Sequence, residues 1–256
     1  MSRPFRKARH DVDPDFFLAE AAGLRWLADA GAPVVEVLAV TRASIELSRL
    51  DTARPTVEAA RRFGAALART HDAGAARFGS PPDGYRGEQF IGERPLSSTE
   101  HDTWGAFYSA ERVLPYLRPA LDAGNLTAAD DADVRAACEL IAAGVFDDSE
   151  PPARLHGDLW SGNVMWTPEG VVMIDPAAHG GHRETDLAML ALFGCPLLDD
   201  IIEGYRSEHP PAAGWEQRIP LHQLHPLAVH AAGHGPSYGA ALGRAARSTL
   251  TLADRA

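Results

Sequence analysis

LHGDLWSGNVMWTPEGVVMIDP, residues Leu155 to Pro176, is the stretch from which the fold can be read. Four residues separate Asp158 from Asn163, and Val171 to Asp175 is a short apolar run that ends in a carboxylate. Each residue taken alone has an ordinary explanation: Asp158 as a turn residue, Asn163 as a cap, Asp175 as a strand end. Together they match a more specific need. Phosphoryl transfer asks for a carboxylate that orients the attacking hydroxyl and accepts its proton, and for oxygen ligands that hold Mg²⁺ against nucleotide phosphates. Asp158, Asn163 and Asp175 are hard oxygen donors of the kind Mg²⁺ takes in small number, with phosphate and water completing its shell.

Outward from this stretch the chain separates into a mixed front and a helical rear. Asp13 to Ala30 reads as a helix with Asp13 as N-cap, Pro14 at the first position, Phe17, Ala21, Leu24 and Leu27 at helical spacing, and Gly31 as the stop. Val34–Val40 and Ser44–Leu50 are β-rich, and Thr41-Arg42-Ala43 between them predicts a hairpin. A second helix is expected from Thr56 to Ala73. Gly79 to Pro95, dense in Gly and Pro, is expected to be loop and to separate front from rear. Helical patterns follow at Glu100–Leu121 and Ala128–Ala143, a strand-turn-strand unit at Arg154–Asp175, and helices broken by Pro-rich turns from Glu184 onward. The order is that of an α+β fold.

Composition narrows the function classes. With 256 residues, 45% hydrophobic and 23% charged, the chain can bury one large core or two modest ones, and disorder is excluded. The net charge of −11 and the absence of any lysine-rich run argue against a nucleic-acid partner or an anionic membrane surface. No apolar run approaches the roughly 18 to 20 residues that span a bilayer, and MSRPFRKARHDVDP has no apolar region behind its basic residues. A cytoplasmic protein is expected. Cys138 and Cys195 stand far apart with no C-x-x-C pairing, so buried thiols are expected rather than a disulfide or a zinc site.

The Asp-x-x-x-x-Asn spacing is that of a kinase catalytic loop, with His156-Gly157 where His-Arg would stand. HGDLWSGN (156–163) followed by IDPAAHGGHRETDLAMLALFG (174–194) resembles the fructosamine kinase (ketosamine kinase) family, a branch of the protein-kinase-like and aminoglycoside-phosphotransferase-like group. The likeness continues through WGAFYSAERVLP (104–115) and LHQLHPLAVHAAGHGPSYGAAL (221–242), and Trp160 and the DPA after the strand are particular to that family. The resemblance implies a two-lobed kinase-like fold, Mg²⁺-ATP between the lobes, and transfer of the γ-phosphoryl to a sugar hydroxyl of a ketosamine, chiefly the 3-hydroxyl, in a deglycation role. It implies Asp158 as catalytic base, Asn163 and Asp175 on Mg²⁺, and Leu47-Ser48-Arg49 as the hinge that meets adenine through its backbone. Ser48 departs from the acidic residue usual there. This division makes 1–50 the front lobe and 51–256 the helical lobe.

Lys7 is the only lysine among 24 basic residues. Kinase-like folds pair a strand lysine with a helix glutamate, so that the ammonium bridges the α- and β-phosphates. Lys7 precedes Glu20 by 13 residues, and Glu20 falls inside the first expected helix, flanked by Phe17, Ala21 and Leu24. The same fold sets two strands and a Gly-rich turn before that lysine, on the order of 20 to 30 residues, whereas six precede Lys7. A front lobe without the phosphate-covering loop is therefore expected, through either a start downstream of the true one or a natural shortening that weakens or abolishes activity.

Trp160, His230, His234 and Tyr238 are candidates for the sugar site, since aromatic faces stack on sugar rings and imidazoles hydrogen-bond hydroxyls. Asp186 is either a helix N-cap or a buried brace of the catalytic loop, Arg183 and Glu184 are expected to pair or cap nearby, and His156 is expected to orient the loop. Three other readings stay open: an aminoglycoside- or choline-type small-molecule kinase, a nucleotide-binding relative without catalysis, and a metal-dependent hydrolase built on His156, Asp158, Asp175, His179 and His182. No H-E-x-x-H spacing supports the last.

Overall fold

The computed structural model describes residues 3–255. Strand β1 (Phe5–Ala8) is followed by helix α1 (Phe16–Asp29) and by strands β2 (Val37–Thr41) and β3 (Ser44–Leu47), which form an antiparallel sheet in the order β1-β3-β2. In its register Lys7 stands opposite Ile45 and Phe5 opposite Leu47. Helix α1 lays Phe17, Ala21 and Leu24 on Val35, Ile45 and Leu47, and these form the front core. The helix begins later than the sequence reading has it: Asp13 accepts the Asp15 N–H through its side chain at 2.8 Å and the Phe16 N–H through its carbonyl at 3.0 Å. Pro14 thus sits in a turn ahead of the first helical residue. The β2–β3 turn is tightened by Thr41, whose hydroxyl accepts the Ala43 and Ser44 N–H groups.

Helix α2 (Val57–Asp72) is capped by the Thr56 hydroxyl, which accepts the Ala59 N–H. The stretch expected to be loop contains a strand, β4 (Gln89–Ile91), which pairs with β5 (Arg94–Leu96) as a hairpin turning at Gly92-Glu93. Its three-residue strands are too short to give a periodic signal, and flanking Gly and Pro masked them. Next comes one long rod, α3 (Trp104–Phe107), a π-helical turn at Tyr108–Val113 and α4 (Leu114–Asp122), then α5 (Ala128–Ala142). Strands β6 (Ala153–Leu155), β7 (Val164–Thr167), β8 (Gly170–Met173) and β9 (His179–Gly181) make two small antiparallel pairs, β6 with β9 and β7 with β8. Helices α6 (Glu184–Leu192), α7 (Leu198–Glu208), α8 (Trp215–His222), α9 (Leu224–Ala231) and α10 (Pro236–Ala253) complete the chain.

Two further cores lie behind the sheet. One joins α1 and α2 to β7, β8, α6 and α7 through Trp26, Phe63, Leu67, Met173, Leu187 and Tyr205; the other holds the long rod against α5, α9 and α10. The front sheet is stitched to β8 by backbone, Val35 N–H to Met173 O at 3.0 Å and Met173 N–H to Pro33 O at 2.7 Å. This seam brings Lys7 of β1 to Asp175, two residues past the end of β8. Cys138 and Cys195 are both free and buried. Among the described residues, no helix is long and apolar enough to cross a membrane.

Candidate active site

The loop from His156 to Asn163 is held from below by Asp186. Its carboxylate accepts the backbone N–H groups of His156 (2.8 Å) and Gly157 (3.0 Å) and contacts His71 Nε2 at 3.2 Å. Asp186 is fully buried, and these partners offset the cost of desolvation so that its carboxyl stays below the usual range. Of the two roles open in the sequence this is the brace; the position before α6 is filled by Arg183, which makes no side-chain cap. Gly157 turns the loop at φ +80°, and a Cβ there would meet Ala177 O at 2.2 Å, so the backbone of the loop runs directly against the segment after β8. His156 orients the loop, accepting the Asp158 N–H on Nδ1 (3.3 Å) and donating from Nε2 to Ile174 O (2.9 Å).

Within this frame Asn163 Nδ2 donates to the Asp158 carbonyl (2.8 Å) and to Asp158 Oδ2 (3.1 Å). Its amide oxygen is left available as a ligand. Burial pushes the Asp158 carboxyl up to about 7; the Asn163 bond opposes this, and the charges of Asp175 and Asp186 add to it. Asp175 has φ 55°, in the left-handed region. Such a backbone in a non-glycine residue costs on the order of 1 kcal/mol or more and is kept where the surroundings enforce it. Here it sets the carboxylate beside Lys7 Nζ, which also donates to Glu20 Oε1 at 2.8 Å. Burial alone would lower the Lys7 ammonium, but Glu20 and Asp175 more than offset it and hold it above its ordinary value. Glu20 is raised by burial, against the pull of Lys7.

These side chains face a cleft of two connected chambers. The first, about 650 Å³, is lined by Lys7, Glu20, Asp158, Asn163 and Asp175 together with Gln89 and Phe90. The second, about 590 Å³, is lined by Glu93, Arg94, Asp158, Trp160, His230 and His234. Both fall within the roughly 300–1,000 Å³ of small-molecule sites. Asp158 and Trp160 belong to both chambers, and so does the Gly92-Glu93 turn of the hairpin. Trp160 is 38% exposed and sets its ring edge-on to Phe193 at 6.0 Å. His230 donates from Nδ1 to Pro226 O at 2.7 Å. The Tyr238 ring lies 4.9 Å from that of His230, tilted by 35°, and Tyr238 does not line the chamber.

Leu47, Ser48 and Arg49 are not brought into either chamber. Leu47 is buried under α1, the Ser48 N–H is taken by Glu36 O at 2.9 Å, and Arg49 Nε donates to Arg3 O at 2.9 Å. Arg183 and Glu184 do not pair with each other: Arg183 binds Glu150 and Asp72, and Glu184 binds Arg218 and His222. The five residues of the hydrolase reading do not converge. Among the described residues the metal-capable trio is His182, Glu184 and His222 instead. Its atoms are already bonded, His182 to Asp148, His222 to Thr185 and Glu184 to Arg218, so it reads as a buried polar network.

Sequence reasoning missed His71 and the pair Glu93-Arg94. Nothing local singles out His71 within a helix. For the hairpin a signal exists, QFI and RPL on either side of Gly92-Glu93, but it is two three-residue runs long.

The model of the fructosamine kinase family matches residues 2–251. The chain is 34% identical to a probable ketoamine kinase of Thermus thermophilus, covering 93% of this chain and 84% of that one. It is 30% identical to a probable ketoamine kinase of Enterococcus faecium, over 92% and 83%. Among solved structures, a fructosamine-3-kinase candidate from Thermobifida fusca superposes with a TM-score of 0.90 at 46% identity, covering 97% of this chain and 85% of that one. An aminoglycoside phosphotransferase, APH(4)-Ia, bound to AMP-PNP and hygromycin B, superposes with a TM-score of 0.60 at 16% identity over 98% and 94%, a likeness of fold.

Proposed function

Because the chain belongs to the fructosamine kinase family, we propose that it uses Mg²⁺-ATP to phosphorylate a sugar hydroxyl of a small-molecule ketosamine, with Asp158 as the base. The observation that carries this reading is the meeting of Lys7, Glu20, Asp158, Asn163 and Asp175 in one cleft. Membership makes the protein an ATP-dependent kinase; the roles of the individual residues are our assignment.

The donor set suits Mg²⁺. Asn163 and Asp175 offer an amide oxygen and a carboxylate, and the bonds from Asn163 Nδ2 to Asp158 fix which way the amide faces. When bound, Mg²⁺ supplies charge neutralisation on the phosphates. Lys7, held by Glu20, would bind phosphate oxygens as a compact ammonium. Asp158 accepts the proton of the acceptor hydroxyl; partial burial makes its carboxylate a better proton acceptor than a solvated aspartate. Its place on the wall between the two chambers supports phosphates on one side and the sugar on the other. Transfer to the 3-hydroxyl, and removal of sugar adducts as its purpose, are what the family implies. A cytoplasmic setting fits the need for ATP and the two free cysteines.

Coupled ADP release with a fructosamine, a ribulosamine and an aminoglycoside tests the reading. Ketosamine-dependent release is expected. If ATP stabilises the fold while no acceptor is phosphorylated, the protein is a nucleotide binder without this activity; if only the aminoglycoside is consumed, the substrate class is wrong.

A further inference from the structure

The second chamber carries a cation that the phosphoryl-transfer machinery does not use. Arg94, at the start of β5, is half-buried on its wall. Its Nη2 donates to Ala232 O at 2.8 Å, and among the described residues it forms no ion pair with a carboxylate. The adjacent acid is no partner, because Glu93 is engaged by Arg9 across the cleft mouth. The other carboxylate of the chamber, Asp158, is held by Asn163 at the opposite job.

A partly buried guanidinium without a counterion is costly unless a ligand supplies the anion. Its planar fork fits a carboxylate in two parallel hydrogen bonds, which gives direction as well as attraction. The rest of the wall suits the remainder of such a ligand. His230, with its Nδ1 proton committed to Pro226 O, presents Nε2 as an acceptor for a hydroxyl or an ammonium, and Trp160 offers an aromatic face. A polycation such as an aminoglycoside would meet repulsion from Arg94.

Resting on the ketosamine kinase reading, we propose that Arg94 sets acceptor specificity by binding the free carboxylate of a ketosamine whose nitrogen is the α-amino group of an amino acid. The preferred substrate is then a free glycated α-amino acid. A sugar on a lysine side chain of a folded protein has no carboxylate at that distance from its nitrogen.

The test uses fructosyl-glycine and fructosyl-glycinamide, which share the sugar and the nitrogen and carry a carboxylate or a neutral amide at the same place. The wild-type protein is expected to show a KM about tenfold or more lower for the acid, the scale of a charge-assisted hydrogen-bond pair. Arg94→Met should raise the KM of the acid about tenfold more than that of the amide, and Arg94→Lys should keep part of the preference. Equal KM values for acid and amide in the wild-type protein overturn the proposal, and this comparison needs no variant. An equal rise for both in Arg94→Met also overturns it, leaving Arg94 as an anchor of the hairpin on Ala232. In either case phosphorylation of both adducts keeps the kinase reading intact. If neither adduct is phosphorylated while ATP still stabilises the fold, that reading falls and this proposal with it.

Discussion

Lys7 Nζ lies 2.8 Å from Glu20 Oε1, a contact between strand β1 and helix α1 made 13 residues apart in the chain. Glu20 is mostly buried, so the pair fixes the position of the lysine, while Lys7 opposes the burial that raises the glutamate carboxyl. Lys7→Met should lower kcat/KM for ATP by about 10²-fold or more, the scale for losing one electrostatic contact to a reacting group. Lys7→Arg should fall between that variant and the natural protein, because a planar fork does not reproduce a compact ammonium. ADP release at varied ATP reads this out, and full activity in Lys7→Arg would show that the only lysine has no special role.

Replacing Asp158 by Asn should reduce kcat by about 10²- to 10⁴-fold, the contribution of a positioned base, while ATP still raises the melting temperature. The same change should stabilise the fold at alkaline pH. The folded-state value of about 7 lies above the ordinary 3.8. Protonation is therefore favoured by folding, and the stability tied to it is complete below the unfolded value and lost as pH rises through about 7. Melting at pH 8 should be higher for Asp158→Asn than for the natural protein, with the gap closing toward pH 4. A lower melting point at pH 8 contradicts this account of Asp158.

Asp186→Ala leaves the His156 and Gly157 N–H groups without their acceptor in a buried site. A loss of about 3 kcal/mol is expected for unsatisfied groups bonded to a charge, which at about 2–4 °C per kcal/mol for a chain of this size is a fall of roughly 6–12 °C in Tm. Calorimetry measures it. A shift of under two degrees would mean the loop is held by other contacts.

Gly157→Ala and Gly84→Ala make a matched pair, since both glycines have φ near +80° but only the first faces an obstacle, Ala177 O at 2.2 Å from a built Cβ. Gly84→Ala should cost about 1 kcal/mol, the conformational part alone, and leave turnover unchanged. Gly157→Ala should cost more and displace Asp158, with kcat falling alongside Tm. Equal behaviour of the two would locate the whole effect in backbone conformation.

Histidines buried in neutral form should make the protein sensitive to mild acid. Burial lowers His71, His156 and His179 below the ordinary value of 6.5 and brings His222 to about 4 and His225 to about 3. The unfolded chain then binds more protons than the folded one between those values and 6.5, so stability falls as pH drops through that window, by up to about 1.4 kcal/mol per pH unit for each such group. Denaturant midpoints at pH 7, 6 and 5 should decline progressively. A flat series would mean these imidazoles are already charged in the fold.

Local signals in the sequence determined a good deal about this protein. The helix at 57–72 was legible because its Thr56 cap and its apolar spacing lie within a few residues of one another, and the loop from His156 to Asn163 because its chemistry is compressed into eight positions. The pairing of Lys7 with Glu20 was legible only with the help of the 156–175 loop, because a lone lysine 13 residues before a helix glutamate is locally no different from a solvated one. What the tertiary structure alone decided are contacts between distant segments. Lys7 meets Asp175 across 168 positions, and Asp186 reaches back 29 to Gly157, which settles it as a brace where the sequence also allowed a cap. Glu184 turns away from Arg183 to Arg218, the Ser48 N–H is taken by Glu36 O, and the stretch expected to be loop folds into the hairpin that places Arg94 on the second chamber. Capping and periodicity are energies of neighbours along the chain. The partner of a buried charge is fixed by which segments the whole core packs side by side, and no window of residues contains that.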